Sequence, residues 1–315
     1  MGPDPAVAEV RRAVRAVLVP GRRVLVACSG GPDSLALAAA VAFEAPRAGV
    51  PAGLVTVDHG LQNGSARQAE RVASVGYELG LDPVESVAVT VGTGGGPEAA
   101  ARRARYAALD ALAAAWDADV LLGHTLDDQA ESVLLGLGRG SGPRSIAGMR
   151  PRTGSYVRPL LGVRRATTVA ACAALGLDAW HDPHNTDRSL QRVRLRLDVL
   201  PLLEDVLQGG VAEALAHTAR LLRDDLDALD ALAAEVADPD DVATLAALPA
   251  ALRTRVLRAW ARASGAGELS EAHTAELDAL ITDWHGQGPI VLPGAVSVRR
   301  ASGKLVVEPR RSAIP

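Results

Sequence analysis

A strand, a glycine turn and a helix follow one another from Arg23 to Leu37, and this run constrains the fold more than any other stretch. The segment Arg23 to Cys28 has the branched, apolar character of a strand that is covered on both faces, and a helical pattern begins by Leu35. Gly30 and Gly31 let the backbone turn sharply, so that successive N–H groups can point at phosphate oxygens. We therefore predict a nucleotide pyrophosphate cradle at the start of this helix.

The polar residues of the same hexapeptide, SGGPDS, add chemistry to the turn. Pro32 suits a first helical turn, and Ser29 and Ser34 offer hydroxyl donors. Asp33 would repel phosphate unless a divalent cation lay between them, so its presence predicts a bridging magnesium ion. The lysine of the GxxxxGK[ST] loop and the GxGxxG pattern are both absent. A lone SGG mostly makes a tight turn, but the full hexapeptide after an apolar strand resembles the signature of the N-type ATP pyrophosphatases, the PP-loop superfamily.

Composition allows one large domain and a smaller one, because 315 residues with 48% hydrophobic content bury an ample core. Cys28 and Cys172 form no CxxC or Cys/His cluster, which argues against a disulfide framework, a zinc ribbon or an iron–sulfur site. The first twenty residues lack the apolar core of a secretory signal, and no window has the roughly 18 apolar residues of a membrane span. We expect a protein of the reducing cytoplasm with no membrane partner.

Charge is segregated along the chain although the net charge is only −4. Between Arg139 and Arg196 there are eleven arginines against three aspartates, a local net of +8, which predicts a phosphate-binding surface. Lys304 is the only lysine, however, so the arginines equally fit a compositional bias. Charge alone does not separate these two interpretations.

Apolar strand segments alternate with helical segments through the first half of the chain. After the cradle, the pattern predicts strands at 53–57, 83–89 and 119–122 and helices at 68–79, 98–116 and 127–137. This alternation predicts an α/β fold with a doubly wound, Rossmann-like parallel sheet. The three glycines at 94–96 predict a mobile loop.

Polar residues stand where the second and fourth predicted strands end. Asp58 and His59 follow the second strand and His124 follows the fourth, at the edge where open parallel sheets place their ligands. The Asp–His–Gly sequence at 58–60 fits a simple turn about as well. The edge is therefore a candidate binding site.

Two predicted helices carry charged pairs at a spacing of three. Arg102 and Arg105 share one helical face and can reach phosphates in the cradle, although arginines on such a face are usually just solvated. Asp128 and Glu131 also share a face and together can clasp an ammonium group. Asp127 precedes them near a helix start, where capping alone explains one aspartate.

The C-terminal third predicts a smaller α+β region. A connecting amphipathic helix is predicted at 211–236, then helices at 245–263 and 269–284 and three short strands after residue 290. We expect a catalytic domain at 1–205, a connecting region at 206–237 and a small α+β domain at 238–315. His181 and His184 flank Pro183, which favours a turn over a metal site.

Seven motifs, in this order and spacing, resemble the tRNA(Ile)-lysidine synthase family over about residues 20 to 205. They are SGGPDS, VDHGLQ, ARRARY, GHTLDDQAES, LGRGSG, RPLL and DPHNTD. The resemblance implies that ATP adenylates the wobble cytidine of a CAU anticodon in tRNA(Ile), with loss of pyrophosphate, and that free L-lysine then displaces AMP to give lysidine. One departure is Val193, where the family often has asparagine, and it implies a lost local RNA contact.

The resemblance also implies roles for individual residues. ATP is expected at Ser29, Gly30, Gly31, Pro32, Asp33, Ser34, Asp58, His59 and His124. The expected catalytic residues are Asp33, which would hold Mg²⁺, Arg102, Arg105 and Asp127. Asp128 and Glu131 are expected to bind lysine. The residues expected to bind tRNA are Arg139, Arg144, Arg192, Arg194 and Arg196, together with the small C-terminal domain. The sequence leaves open whether the protein forms a homodimer.

Two other classes remain open from the sequence. A tRNA thiolase of the same superfamily would share the cradle, but it generally needs catalytic or cluster-binding cysteines that Cys28 and Cys172 do not supply. A nucleotide-binding protein without enzymatic activity would keep the cradle and have no use for Asp128 paired with Glu131.

Overall fold

The computed structural model describes residues 2–60, 64–92, 94, 96–140, 142–180 and 182–309. These residues form two compact units, 1–221 and 222–315. No helix in the described ranges is long and apolar enough to cross a membrane. Parts of four predicted features lie outside the described residues: Leu61 and Gln62 of VDHGLQ, Gly95 of the three-glycine loop, Ser141 of LGRGSG, and His181.

The first unit is built on a six-stranded sheet in the part of the chain that the structure describes. Its strands are β1 (Arg23–Ala27), β2 (Ala52–Asp58), β3 (Val84–Ala88), β4 (Ala118–Leu122), β5 (Arg152–Thr153) and β6 (Tyr156–Val157). The spatial order is β3-β2-β1-β4-β6-β5, and every neighbouring pair is parallel except β5 with β6. The predicted doubly wound parallel sheet is therefore confirmed, with a short antiparallel strand at one edge.

The helices of the first unit cover the sheet and extend beyond it. They are α1 (Pro5–Arg15), α2 (Pro32–Glu44), α3 (Ser65–Glu78), α4 (Pro97–Trp116), α5 (Leu126–Arg139), α6 (Pro143–Ile146), α7 (Arg165–Ala174), α8 (Gln191–Arg194) and α9 (Leu200–Val206). A π-helical turn, Leu195–Val199, lies between α8 and α9, and α10 (Val211–Ala234) contains the boundary between the units.

Alternate residues of β1 enter two different cores, as the side-chain period of a strand requires. Val24 and Val26 pack with buried residues of α1, α2, α3 and α7 on one face of the sheet. Leu25 packs with Leu109 of α4 and with Val120 on the other face. Because both faces are covered, β1 is apolar throughout and its carboxyl end is where the chain is free to approach a ligand.

The second unit contains helices α11 (Val242–Ala247), α12 (Ala250–Ala263) and α13 (Glu271–Thr282) and strands β7 (Ile290–Leu292), β8 (Val296–Ala301) and β9 (Lys304–Pro309). The three strands form an antiparallel sheet, and Leu257, Leu277 and Val298 are fully buried between it and the helices. A single helix over 245–263 was wrong: Pro249, whose φ is −55° and ψ is 144°, separates α11 from α12.

Candidate functional site

A cavity of about 640 Å³ opens at the carboxyl edge of the sheet, where β1, β2 and β4 end. Its walls come from the turn before α2, the ends of these strands, α4, the start of α5, the start of α7 and the segment 180–196. This is the volume range of small-molecule sites, and the position is the one expected for ligands of open parallel sheets. Many of the predicted site residues line this cavity, among them Ser29, Asp33, His124 and Asp128.

The turn at 29–34 has the conformation that its glycines permit. Gly30 has a φ of +84°, and a Cβ placed there would meet the side chains of Gln68 and Val72. Its carbonyl accepts the backbone N–H of Trp180 at 2.8 Å, and Gly31 caps α2 in an extended conformation. The N-terminus of α2, with its unpaired N–H groups and positive dipole end, therefore faces the cavity as the cradle prediction expects.

The Ser34 hydroxyl holds this turn together from the inside. It accepts the N–H of Ser29 at 3.1 Å and donates to the carbonyl of Gly31 at 3.0 Å, and the Ser34 residue is buried. In this arrangement its proton is engaged within the protein. Ser34 thus shapes the cradle, and Ser29 is the hydroxyl at its rim.

Asp33 lies in the first turn of α2 with its side chain 20% exposed. Arg165 Nε donates to its Oδ2 at 3.1 Å, and the Thr168 hydroxyl donates to its Oδ1. Burial raises the pKa of Asp33 above its ordinary value, although Arg165 and Thr168 act in the opposite direction. A half-buried carboxylate of this kind gains from a cation beside it.

Asp33 is the carboxylate of the cradle that would hold a magnesium ion together with phosphate oxygens. The described residues include no cluster of three or more His, Cys, Asp or Glu side chains that could hold a metal ion by itself. Mg²⁺ in phosphoryl-transfer sites is commonly bound by one or two carboxylates, phosphate oxygens and water. Asp33 beside the cradle would supply the carboxylate in such a set.

Asp128 divides its two oxygens between structure and site. Its Oδ2 accepts the N–H of Thr125 at 2.8 Å and the Thr125 hydroxyl at 2.9 Å, completing the capping box of α5. Its Oδ1 accepts Arg165 Nη2 at 2.6 Å. Burial alone would raise the pKa of Asp128, but Arg165 and the Thr125 N–H hold it below its ordinary value. Asp128 is therefore an anion whose Oδ2 serves the helix cap and whose Oδ1 is held by Arg165.

Glu131, one turn along α5, is completely buried and accepts hydrogen bonds from two arginines. Its Oε1 accepts Arg165 Nη1 at 3.3 Å and Arg196 Nε at 2.7 Å, while its Oε2 accepts Arg196 Nη2 at 3.2 Å. The two predicted lysine-binding carboxylates do lie side by side, and both already hold guanidinium groups. Their predicted part in lysine binding stays a prediction.

His124 at the end of β4 is a neutral imidazole. Burial lowers its pKa from 6.5 to about 4; Asp128 opposes this shift, while Arg158 and two arginines of α4 add to it. Its Nδ1 is buried and has no hydrogen-bond partner among the described residues. A pKa near 4 makes His124 a weak base, so its chemistry here is hydrogen bonding to a ligand.

Arg102 and Arg105 of α4 both line the cavity. The Nε of Arg105 is buried without a partner in the described part of the chain, and Arg102 donates to the Tyr106 hydroxyl at 3.3 Å. Their neighbour Arg103 donates instead to the carbonyl of Gly94. Two guanidinium groups therefore face the space in front of the cradle.

Asp58 and Asp127 make contacts with the backbone. Asp58 accepts the N–H of Gly60 at 2.9 Å, whereas the adjacent His59 lines the cavity. Asp127 accepts the N–H of Arg165 at 2.7 Å and pairs with Arg164 at 3.3 Å, so it caps α7 and fixes α5 to it. Their predicted parts in ATP binding and catalysis stay predictions.

The arginines of the arginine-rich stretch differ in exposure and in the acids that they contact. Arg139, Arg144, Arg192 and Arg194 are exposed, and Arg192 also lines the cavity. Arg196, predicted with them as a tRNA contact, lies in the cavity against Glu131 instead of on the outer surface. Other members pair with acids elsewhere in the chain, as Arg152 does with Asp119 and Arg164 with Glu213. The local net of +8 therefore overstates the positive charge of this surface.

Three residues of the site were missed by the sequence interpretation: Arg165, Thr168 and Trp180. Arg165 and Thr168 belong to the first turn of α7, and Trp180 lines the cavity after it. One signal was available, since the pair Arg164 and Arg165 stands at a helix N-terminus, where the helix dipole disfavours cations. Such a placement indicates that carboxylates from elsewhere compensate for it.

Two sequence families match the chain. A family described as PP-loop domain matches residues 6–203, and one described as TilS substrate binding domain matches residues 241–306. The first match lies within the unit 1–221, which contains the six-stranded sheet and the cavity, and the second lies within the unit 222–315.

Curated relatives match over nearly the whole length. A tRNA(Ile)-lysidine synthase of Thermobifida fusca (strain YX) is 57% identical, covering 97% of this chain and 98% of its own. One of Streptomyces coelicolor is 54% identical, covering 98% and 99%. Among solved structures, the U34-tRNA thiolase NcsA from Methanococcus maripaludis has a TM-score of 0.58 and 20% identity, covering 69% of this chain and 80% of its own. At that identity the likeness is one of fold.

Proposed function

Because the chain belongs to the tRNA(Ile)-lysidine synthase family, we propose that it joins free L-lysine to the wobble cytidine of tRNA(Ile), forming lysidine. In this ATP-dependent ligation the cytidine of a CAU anticodon takes AMP from ATP with release of pyrophosphate. The lysine amine then displaces AMP. The observation that carries the proposal is that the nucleotide cradle and Asp128 line one cavity, where Arg165 contacts Asp33, Asp128 and the buried Glu131 behind it.

ATP fits the wall formed by the turn at 29–34. The backbone N–H groups of this turn and the N-terminus of α2 favour the phosphates. Arg102 and Arg105 approach the same space from α4 and would stabilise negative charge as the bond between the α and β phosphates breaks. Mg²⁺ held by Asp33 would neutralise phosphate charge when bound. His124, neutral above about pH 4, adds a hydrogen-bonding group without adding charge.

Lysine fits the acid pair on α5. Asp128 and Glu131 are adjacent carboxylates that already hold cationic groups, and an ammonium group has the same charge and donates the same kind of hydrogen bond. Asp127 would act with the pair by holding α5 against α7.

The tRNA fits the exposed arginines beside the cavity. Arg139, Arg144, Arg192 and Arg194 can approach backbone phosphates, and Arg192 reaches the cavity itself. Arg196, which contacts Glu131, would meet the tRNA on the side of the cavity where we propose that lysine binds. The small domain at 238–315, which contains the match to a TilS substrate binding domain, is the second place where we expect tRNA to bind. A catalytic domain at 1–205 and a connecting region at 206–237 complete this arrangement.

A cytoplasmic location and a homodimer remain predictions. The size of the protein in solution would decide between one and two copies.

A thiolase has less support as the function. Cys28 is buried, and burial raises the pKa of its thiol. Burial also raises the pKa of Cys172 to about 11. Both groups are therefore protonated thiols near neutral pH, whereas nucleophilic or cluster-binding cysteines act as thiolates. The likeness to the archaeal thiolase extends to the fold alone.

The test uses the whole protein with two tRNAs that carry the same CAU anticodon, one for isoleucine and one for methionine. We expect pyrophosphate release from ATP only with the isoleucine tRNA, and AMP release with incorporation of labelled lysine only when lysine is added. Equal pyrophosphate release without tRNA, or lysine incorporation into neither tRNA, would refute the proposal.

A further inference from the structure

Arg165 contacts carboxylates on both sides of the cavity: Asp33 beside the cradle, and Asp128 and Glu131 on α5. Its Nε donates to Asp33 at 3.1 Å, its Nη2 to Asp128 at 2.6 Å and its Nη1 to Glu131 at 3.3 Å. Three carboxylates from α2 and α5 thus share one guanidinium, which is only 20% exposed. Burial alone would lower the pKa of Arg165, but these three acids raise it above its ordinary value. The guanidinium is therefore a fixed positive charge in the middle of the site.

The oxygens that Arg165 holds are those that a lysine ammonium needs. Asp128 has one oxygen facing the cavity, because its Oδ2 is used by the backbone and the hydroxyl of Thr125. Arg165 occupies the other oxygen, and it also occupies the Oε1 of Glu131. An ammonium that bridges the two carboxylates would compete with Arg165 for both atoms.

The hold of Arg165 on the acid pair depends on its contact with Asp33. A guanidinium can spread its donors over three acceptors only while all three are placed to receive it. Asp33 is the carboxylate that would turn to Mg²⁺ and the phosphates of bound ATP. Loss of this contact removes one of the three restraints on Arg165 and makes it easier to displace from Asp128 and Glu131.

We infer that Arg165 is an internal stand-in for the lysine substrate that couples the two half-sites, so that binding of Mg–ATP at Asp33 promotes binding of lysine at Asp128 and Glu131. The inference rests on the proposed function and assigns a positioning role to a residue outside the predicted site. Coupling of this kind is reciprocal, so lysine raises the affinity for Mg–ATP by the same factor. The second guanidinium, that of Arg196, shares the Oε1 of Glu131 with Arg165 and also holds its Oε2 at 3.2 Å, so its contact with Oε2 stays in place when an ammonium takes Oε1.

The experiment measures lysine binding by calorimetry on the full chain, with and without Mg²⁺ and the non-hydrolysable analogue α,β-methylene-ATP. For the natural protein we expect the analogue to lower the Kd for lysine at least fivefold. For Arg165→Ala we expect this factor to fall below twofold, and lysine alone to bind at least as tightly as it does to the natural protein. Arg165→Lys keeps one positive charge that is too compact to span all three acids, so it should fold normally and show a reduced factor.

Arg164→Ala is the matched control at the adjacent position. Arg164 pairs with Asp127 and Glu213 on the neighbouring surface, so its loss removes the same charge from the start of α7 and should leave the coupling factor intact. A folded Arg165→Ala protein that retains the full factor, or that no longer binds lysine, overturns the inference. If the natural protein makes lysidine but its lysine affinity ignores the analogue, the inference fails alone; if it makes no lysidine, the proposed function fails.

Discussion

Arg165 Nε lies 3.1 Å from Asp33 Oδ2, although 132 positions separate the two residues in the chain. The contact joins the first turn of α7 to the first turn of α2, where two helix N-termini meet beside the cavity. A cation at the start of α7 is disfavoured by its own helix and is compensated by acids from α2 and α5. The site is thus an electrostatic cluster assembled from distant segments.

Glu131→Gln should raise the KM for lysine at least tenfold while tRNA-dependent pyrophosphate release stays within about threefold. The substitution keeps the shape of the buried side chain and removes the charge that an ammonium requires, which is worth roughly 1.5–3 kcal/mol per charged hydrogen bond. Glu131→Ala should show the same pattern and also unfold more easily, since it removes the buried carboxylate that makes the shortest contact with Arg196. Lost pyrophosphate release with an unchanged lysine KM would mean that Glu131 serves the ATP half. Glu213→Gln, at an exposed partner of Arg164, is the control.

Gly123→Ala should weaken ATP binding at least tenfold. A Cβ at Gly123 would lie 3.1 Å from the backbone of Asp33 and from the N of Ser34, and backbone atoms of the cradle cannot move aside without altering it. Gly138→Ala in α5 is the matched control, because its Cβ meets nothing within 4 Å and alanine favours a helix. Titration of both variants with α,β-methylene-ATP checks the expectation, and equal affinities would show that the cradle tolerates displacement.

His124 should make the folded protein less stable as the pH falls from 6.5 to about 4. In this window the unfolded chain binds a proton at His124 that the folded protein does not, so the free energy of unfolding decreases by roughly 3 kcal/mol at most. Denaturant titrations across the window should show a steeper pH dependence for the natural protein than for His124→Asn. His217→Asn, at an exposed histidine, should follow the natural protein. Identical slopes for all three would contradict a buried neutral imidazole.

Arg105→Ala should lower tRNA-dependent pyrophosphate release about a hundredfold or more, the usual cost of removing a donor that stabilises developing charge. The Arg105 side chain lines the cavity and has a buried Nε without a partner among the described residues, so a ligand is its natural acceptor. Arg103→Ala removes an arginine from the same helix whose guanidinium contacts the Gly94 carbonyl, and it should stay within a few fold of the natural rate. Equal losses would point to the charge of α4 as a whole.

Arg194→Ala should weaken tRNA binding and lower the slope of log Kd against log salt by roughly one, as expected for one lost phosphate contact. Arg194 is exposed in the arginine-rich stretch. Arg152→Ala, at a residue of the same stretch that pairs with Asp119, should leave the slope unchanged. If both variants reduced the slope equally, tRNA binding would depend on the total charge of the stretch and not on the position of each arginine.

Local patterns account for the parts of the fold that were predicted well. The strand, the glycine turn and α2 followed from apolar periodicity and from the backbone freedom of Gly30, both of which act over a few residues. The single helix predicted over 245–263 was wrong. Apolar residues recur at helical spacing on both sides of Pro249, because α11 and α12 pack into the same core, but the backbone of Pro249 is not helical and separates the two helices. The residue spacing of Asp128 and Glu131 correctly placed both on one face of α5.

By itself the sequence determined the cradle, the parallel sheet and the two carboxylates of α5, since each depends on residues that are close together in the chain. Only the tertiary structure decided what those carboxylates hold: Arg165 reaches Asp128 from 37 positions away, and Arg196 reaches Glu131 from 65. It likewise decided which arginines remain at the surface, because ion pairs form by proximity in space. Arg23 to Leu37 thus supplies the strand, turn and helix at which we propose that ATP binds, and the long-range contacts of Arg165 join this turn to the acid pair.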